Sequence, residues 1–207
     1  MTASEKERLD AIALVGEKYG LTRDALVPGL LTTPEEKDRI KGKSVIGRRI
    51  AAGYYVTKYA RALLAGESPD LAAFRQRVRD YGVDTDLMPL EREVFEEEAG
   101  AKELQLVAEN SEALAILLWS MGACGAPLDP NTPADFEKVA RFVEGAGNIQ
   151  TLIERIDYHT EEAICAMIDL YRQYHHAGLG KDALLRPRFQ ALEWFICADK
   201  DWLRIRV

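Results

Sequence analysis

The residues able to do chemistry concentrate in the last third of the chain. His159 precedes Thr160, and His175 and His176 close the periodic segment that Thr160 opens. On a helix turning roughly 100° per residue, His176 shares one edge with Glu162, Cys165, Asp169 and Arg172. Acid, thiol and imidazole on one stripe are the groups of a metal site or an acid–base pair. Distance argues against a shared metal. Glu162, Asp169 and His176 follow one another at seven-residue steps, about 10.5 Å each at ~1.5 Å per residue. Ligands of one ion sit about 2.0–2.6 Å from it. Cys165 and Asp169 are close enough to share an ion, but a third ligand would have to come from another helix. No HExxH and no pair of ExxH motifs is present. The stripe therefore reads as an ion-pair ladder, Asp169–Arg172–His176, on a helix surface. His175 falls beside Ile164, Ile168 and Tyr171, in the middle of the apolar face. It is expected to be a core histidine with its ring nitrogens hydrogen-bonded.

Other motifs fail on spacing. Gly42-Lys43-Ser44 looks like the end of a phosphate-binding loop, but Lys37 stands where the motif needs glycine and no strand precedes it. Gly145-Ala146-Gly147 has Gln150 in place of its third glycine and reads as a helix terminus. No G-x-S-x-G elbow exists. No catalytic residue, metal site or cofactor is assigned from motifs. Lys37, Arg39, Lys41, Lys43, Arg48 and Arg49 form a basic run. A phosphate or an acidic partner could dock there, but the run reads first as a solvated helix face balanced by Glu91, Glu93, Glu96, Glu97 and Glu98, which equally offer a docking surface to a basic partner. Trp119 and Trp194 are expected in the core, and Trp202 over an end of the last helix.

The elements that position these residues are helical almost throughout. Ser4 opens a helix that stops at Gly20, and 21–32 is an irregular connector holding Pro28 and Gly29. Thr33-Pro34-Glu35-Glu36 is a capping box, and the helix it opens is interrupted or weakened at 42–44 before running to Gly66. Ser68-Pro69 opens a helix to Tyr81. Pro89 opens a short acidic one to Gly100. The segment 101–121 is the most apolar, with no polar face in its second half, and is expected to be the central helix, with the last two helices packed on it. Thr132-Pro133-Ala134-Asp135 opens a helix to Glu144, Thr160 one to Ala177, and Pro187 the last, to Ala198. No alternating strand run is visible.

These patterns predict an all-α fold, a single compact domain over 1–207 of about eight or nine helices around 101–121, with 1–32 as a helical appendage. The chain has 207 residues, net charge −7 and 47% hydrophobic content, which excludes intrinsic disorder and a general nucleic-acid binder. The polar N-terminal segment has no apolar core of a signal peptide, and the longest uncharged stretch, 113–128, is too short to span a bilayer. Three widely spaced cysteines, Cys124, Cys165 and Cys197, read as small buried hydrophobes in a reducing cytoplasm.

Residues 90–203 resemble an uncharacterised bacterial family, domain of unknown function 4272. The likeness rests on Glu91 to Phe95, on Glu112-Ala113 with Leu117-Leu118-Trp119-Ser120-Met121-Gly122, on Ile164, Asp169, Tyr171-Arg172, His175 and Ala177, and on Arg188, Ala191-Leu192-Glu193-Trp194 and Asp201-Trp202. His176, Pro187 and Glu193 depart from that pattern, and Tyr171-Arg172 is one position out of step with His175. The resemblance implies a cytoplasmic helical domain and carries over no catalytic residues.

Three function classes follow. The favoured one is a non-enzymatic protein-binding module, in its sharpest form a toxin-neutralising immunity protein whose acidic face (Glu93, Glu96, Glu97, Glu98) docks a basic toxin domain. The second is a small-ligand-binding or sensor protein. The third is an enzyme with an interhelical acid/base pocket. For the pocket, the candidate residues are Glu112, Asp169, His175, Arg188 and Trp194. Neither a nucleic acid nor a membrane is expected as partner.

Overall fold

The computed structural model describes residues 2–155, 157–198 and 201–202. Among them the chain is all-α, with ten α-helices, short 3-10 turns and no strand. No helix among the described residues is long and apolar enough to cross a membrane. The helices divide between two compact units. One takes the described residues within 1–40, 126–133 and 159–207, the other those within 41–125 and 134–158.

The second unit contains α3 (Lys43–Leu64), α4 (Leu71–Asp80), α5 (Pro89–Glu96), α6 (Ala101–Ser120), α7 (Phe136–Ala146) and α8 (Ile149–Glu154). Its axis is α6, the apolar segment singled out in the sequence: every residue from Asn110 to Met121 is buried. Such a helix has no face to offer water and must be covered all round. Its main neighbour is α3, with α5 and α7 also against it. The approach of α3 is close. A Cβ on Gly53 would meet Leu114 Cδ2 at 3.0 Å and Arg49 Nη2 at 2.7 Å, so that position needs glycine. The basic and acidic runs are not simply solvated faces. Arg49 and Glu91 are both buried and pair with each other, because Arg49 lies between Ile46 and Ile50 on the side of α3 that faces the core.

The first unit contains α1 (Ala3–Gly16), α2 (Pro34–Lys37), α9 (Glu161–His176) and α10 (Asp182–Ile196). Here α1 and α10 each pack on α9. The last two helices thus belong to a unit of their own and pack on one another there. Two irregular segments complete this unit, and side chains of α9 and α10 bond their backbones. Gln173 accepts from Val27 N and donates to Val27 O, both at 2.9 Å. The hydroxyls of Tyr171 and Tyr174 donate to the carbonyls of Pro127 (2.6 Å) and Leu128 (3.1 Å). Arg188 donates to those of Asp129 (2.9 Å) and Thr132 (2.5 Å). Backbone groups in irregular structure need partners as much as those in helices do, and here side chains supply them.

Several helix limits differ from the sequence reading. Thr2, not Ser4, caps α1, in a full capping box with Glu5. The box at Thr33 forms as read, but α2 is a single turn and a new helix starts after Gly42. Helix α5 ends at Glu97, which takes φ 62°. Thr132 does not cap: its hydroxyl donates to Asp129, the Ala134 amide goes to Glu112, and α7 starts later, on Asp135. Pro187 lies inside α10 rather than at its start. The helix-forming run Ala183-Leu184-Leu185, with Leu185 buried, carries the helix back past the proline. Helix α8, capped by Asn148, had no counterpart in the sequence reading.

Arg172 of α9 ties this unit together, bonding Glu36 on α2 and Glu193 on α10 at 2.8 and 2.6 Å. Burial alone would raise the Glu36 pKa. The hydrogen bonds from Arg172 and the Thr33 amide outweigh it and hold the carboxyl below its ordinary 4.5. A depressed folded-state pKa gives stability that is complete above the unfolded value and lost as pH falls through the folded one. Glu36→Gln should therefore cost about 1 kcal/mol at neutral pH, and the difference should shrink as the pH falls below 4.5 and through the folded-state value. Urea midpoints at neutral and at acid pH check this.

Candidate functional site

The first unit holds a cleft of about 820 Å³ between α1, the strip Thr32–Lys37 and α9. Each wall follows from its sequence spacing. On α1, Ser4, Arg8, Ala11, Ile12 and Val15 line it, a three- and four-residue spacing that puts them on one helix face. On α9 the lining residues include Glu162, Cys165, Ala166 and Asp169. This is the edge on which the sequence placed acid and thiol. The walls are mostly apolar, completed by Ala163, Met167, Leu170 and Leu128.

Asp169 forms the polar floor. It is 1% exposed, and its carboxylate accepts hydrogen bonds on both oxygens. Oδ1 takes the Thr32 amide (2.6 Å) and hydroxyl (2.5 Å). Oδ2 takes Arg8 Nε (3.1 Å) and Nη2. Arg8 also donates from Nη1 to the Thr32 carbonyl at 3.0 Å. A buried charge survives only when paired and hydrogen-bonded, and this one is both. At the rim Lys37 pairs with Glu162 at 2.5 Å. The Cys165 thiol also faces the cleft. Burial, with Asp169 beside it, pushes its pKa up, so it is a soft apolar wall rather than a ready nucleophile. Among the described residues no group of three His, Cys, Asp or Glu side chains is placed to hold a metal ion.

The pocket candidates are dispersed. Asp169 lines the cleft, but the ladder Asp169–Arg172–His176 does not form. Asp169 turns to Arg8, and Arg172 to Glu36 and Glu193. His175 is exposed and stacks on Phe189 at 4.9 Å between ring centres. Its angular position is apolar, as read, but it sits in the last turn of α9, where Phe189 lies beside it without enclosing it. Arg188 is buried on the carbonyls of Asp129 and Thr132 and on the Tyr171 hydroxyl. Trp194 is buried edge-on to Phe195 and Trp202. Glu112 is buried on α6, in the other unit, and accepts from the Ala134 amide at 3.0 and 3.2 Å. Glu93, Glu96, Glu97 and Glu98 are exposed, as expected. The sequence reading missed Arg8, Thr32 and Lys37. The available signal was Arg8 itself, a charge set at i, i+4 and i+7 with Ile12 and Val15.

The chain matches a protein-family model described as a domain of unknown function (DUF4272) over residues 21–205. No curated protein and no solved structure matches it.

If Asp169 holds the cleft walls together, Asp169→Leu should strip the buried Thr32 donors of their acceptor and cost about 3 kcal/mol. Asp169→Asn keeps an acceptor and should cost less. Chemical denaturation of both variants tests this order, and equal losses would contradict it.

Proposed function

Since the chain belongs to the family described as a domain of unknown function, DUF4272, a description that names no chemistry, we propose from its cleft that it is a small-ligand-binding protein. One observation carries the reading: an apolar cleft of about 820 Å³ closing on a polar floor. Ligand sites typically enclose about 300–1,000 Å³, with apolar walls and a few convergent polar groups. The small side chains Ala11, Ala163 and Ala166 line that space. The free thiols Cys124 and Cys165 support a reducing, cytoplasmic setting. Ala166 is exposed and lines the cleft, so Ala166→Trp fills the space from a tolerant position. Titration with a neutral solvatochromic dye should give saturable one-to-one binding that this variant weakens at least tenfold. Equal binding by the variant would move the site elsewhere.

A second reading is a protein-binding module, and the end of α5 supports it. Glu93, Glu96, Glu97 and Glu98 are all exposed, and they crowd the end of a helix whose dipole disfavours negative charge. Glu97 holds a left-handed φ of 62°, an uncommon conformation for a residue other than glycine. A basic protein relieves that repulsion, and a toxin-neutralising immunity role is the sharpest form of this reading. Reversal of Glu96, Glu97 and Glu98 to Lys should reduce recovery of a basic partner from a host lysate by about tenfold or more while circular dichroism stays unchanged. Undiminished recovery rules this edge out.

A further inference from the structure

Resting on the ligand-binding reading, we propose that the cleft takes an amphiphile with an anionic oxygen head, a carboxylate or phosphate, on an apolar tail. The argument is the hydrogen-bond inventory of the cleft. Asp169 accepts four bonds, from the Thr32 amide and hydroxyl and from Arg8 Nε and Nη2, so both its oxygens are spent. Thr32 gives its amide and hydroxyl hydrogens to Asp169, and its carbonyl accepts from Arg8. Thr33 gives its amide hydrogen to Glu36, and its hydroxyl accepts from the Glu36 amide. The charged acceptor of the floor is therefore filled, and the acceptor positions left there are on neutral oxygens.

The floor does have donors. A guanidinium carries five N–H groups, and Arg8 uses three of them within the described residues, one each from Nε, Nη1 and Nη2. One N–H on each terminal nitrogen remains, on a side chain 35% exposed at the cleft. Lys37, with a single bond to Glu162, keeps further donors at the rim. A ligand that brings only donors would meet Arg8 unfavourably. One that brings an anionic oxygen completes it with a charge-assisted bond. The other end of such a ligand must be apolar, because Ala11, Ile12, Val15, Ala166 and Met167 supply the walls. The other carboxylate lining the cleft, that of Glu162, is exposed and pairs with Lys37 at the rim.

The test compares decanoate, decyl phosphate and decanol by isothermal titration below their aggregation limits. The three share a tail and differ in the head. At least one anionic ligand should bind about tenfold or more tightly than decanol, and the tighter of the two identifies the head. Arg8→Lys keeps a cation on Asp169 while removing the spare guanidinium donors, and it should bring that preference below about threefold. Equal or tighter binding of decanol overturns the proposal and leaves the cleft reading intact. Binding of none of the three overturns both. A preference that survives Arg8→Lys in a folded variant also overturns it, because the head would then be held elsewhere. If Arg8→Lys does not fold, the ligand series on the unaltered protein still decides.

Discussion

A carboxylate taken out of water must be compensated where it stands, and in the first unit that requirement falls on Asp169. Its desolvation would cost several kcal/mol if left unpaired. Compensation comes from two distant places in the chain, Arg8 on α1 and Thr32 at the end of the irregular connector. The three segments that meet at this carboxylate are the three walls of the cleft. Arg8 closes the arrangement by bonding the Thr32 carbonyl as well as Asp169. Moving any one of the three segments would unpair groups on the other two.

The same logic extends along α9. Asp169, Arg172 and Gln173 each reach the connector: Asp169 bonds Thr32, Arg172 reaches the Leu30 carbonyl at 3.4 Å, and Gln173 pairs with both backbone groups of Val27. On the other side, Tyr171, Tyr174 and Arg188 hold the segment 127–132 in the same way. A helix with polar residues among its buried positions looks from sequence like a catalytic face. Here those residues supply the hydrogen bonds that two irregular segments cannot supply for themselves.

This explains what the sequence revealed and what it withheld. Local signals were legible: the capping boxes at Thr33 and the cap at Thr160 form as read, and the all-round apolarity of 101–121 marks the buried axis of the second unit. Asp169 and Arg188 are both among the pocket candidates read from the sequence, and both are buried, Asp169 despite its place on an expected surface ladder. What each one bonds lies 161 and 59 residues away for the Arg8 and Asp129 contacts, and no periodicity encodes that. Periodicity gives an angle around a helix axis but not how far the neighbouring elements extend along it. That is why His175 had the right angle and the wrong burial. Thr132 failed as a cap for a related reason: the Ala134 amide goes to Glu112, 22 residues away.

The floor of the cleft shows an imbalance between Asp169 and Arg8. Asp169 has every acceptor position filled, so it is structural and offers nothing to a ligand. Arg8 holds Asp169 with part of its donor set and remains partly exposed at an apolar cleft. An arginine can serve both ends because its donors are spread over three nitrogens on a rigid plane, whereas a lysine would concentrate them on one. The small lining residues Ala11, Ala163 and Ala166 leave the space beside Arg8 unfilled. A leucine at any of them would bring more apolar surface into the unit and stabilise it by burial. That the space is left open, next to an arginine with donors to spare, makes a binding site a better account of this part of the molecule than a packing defect.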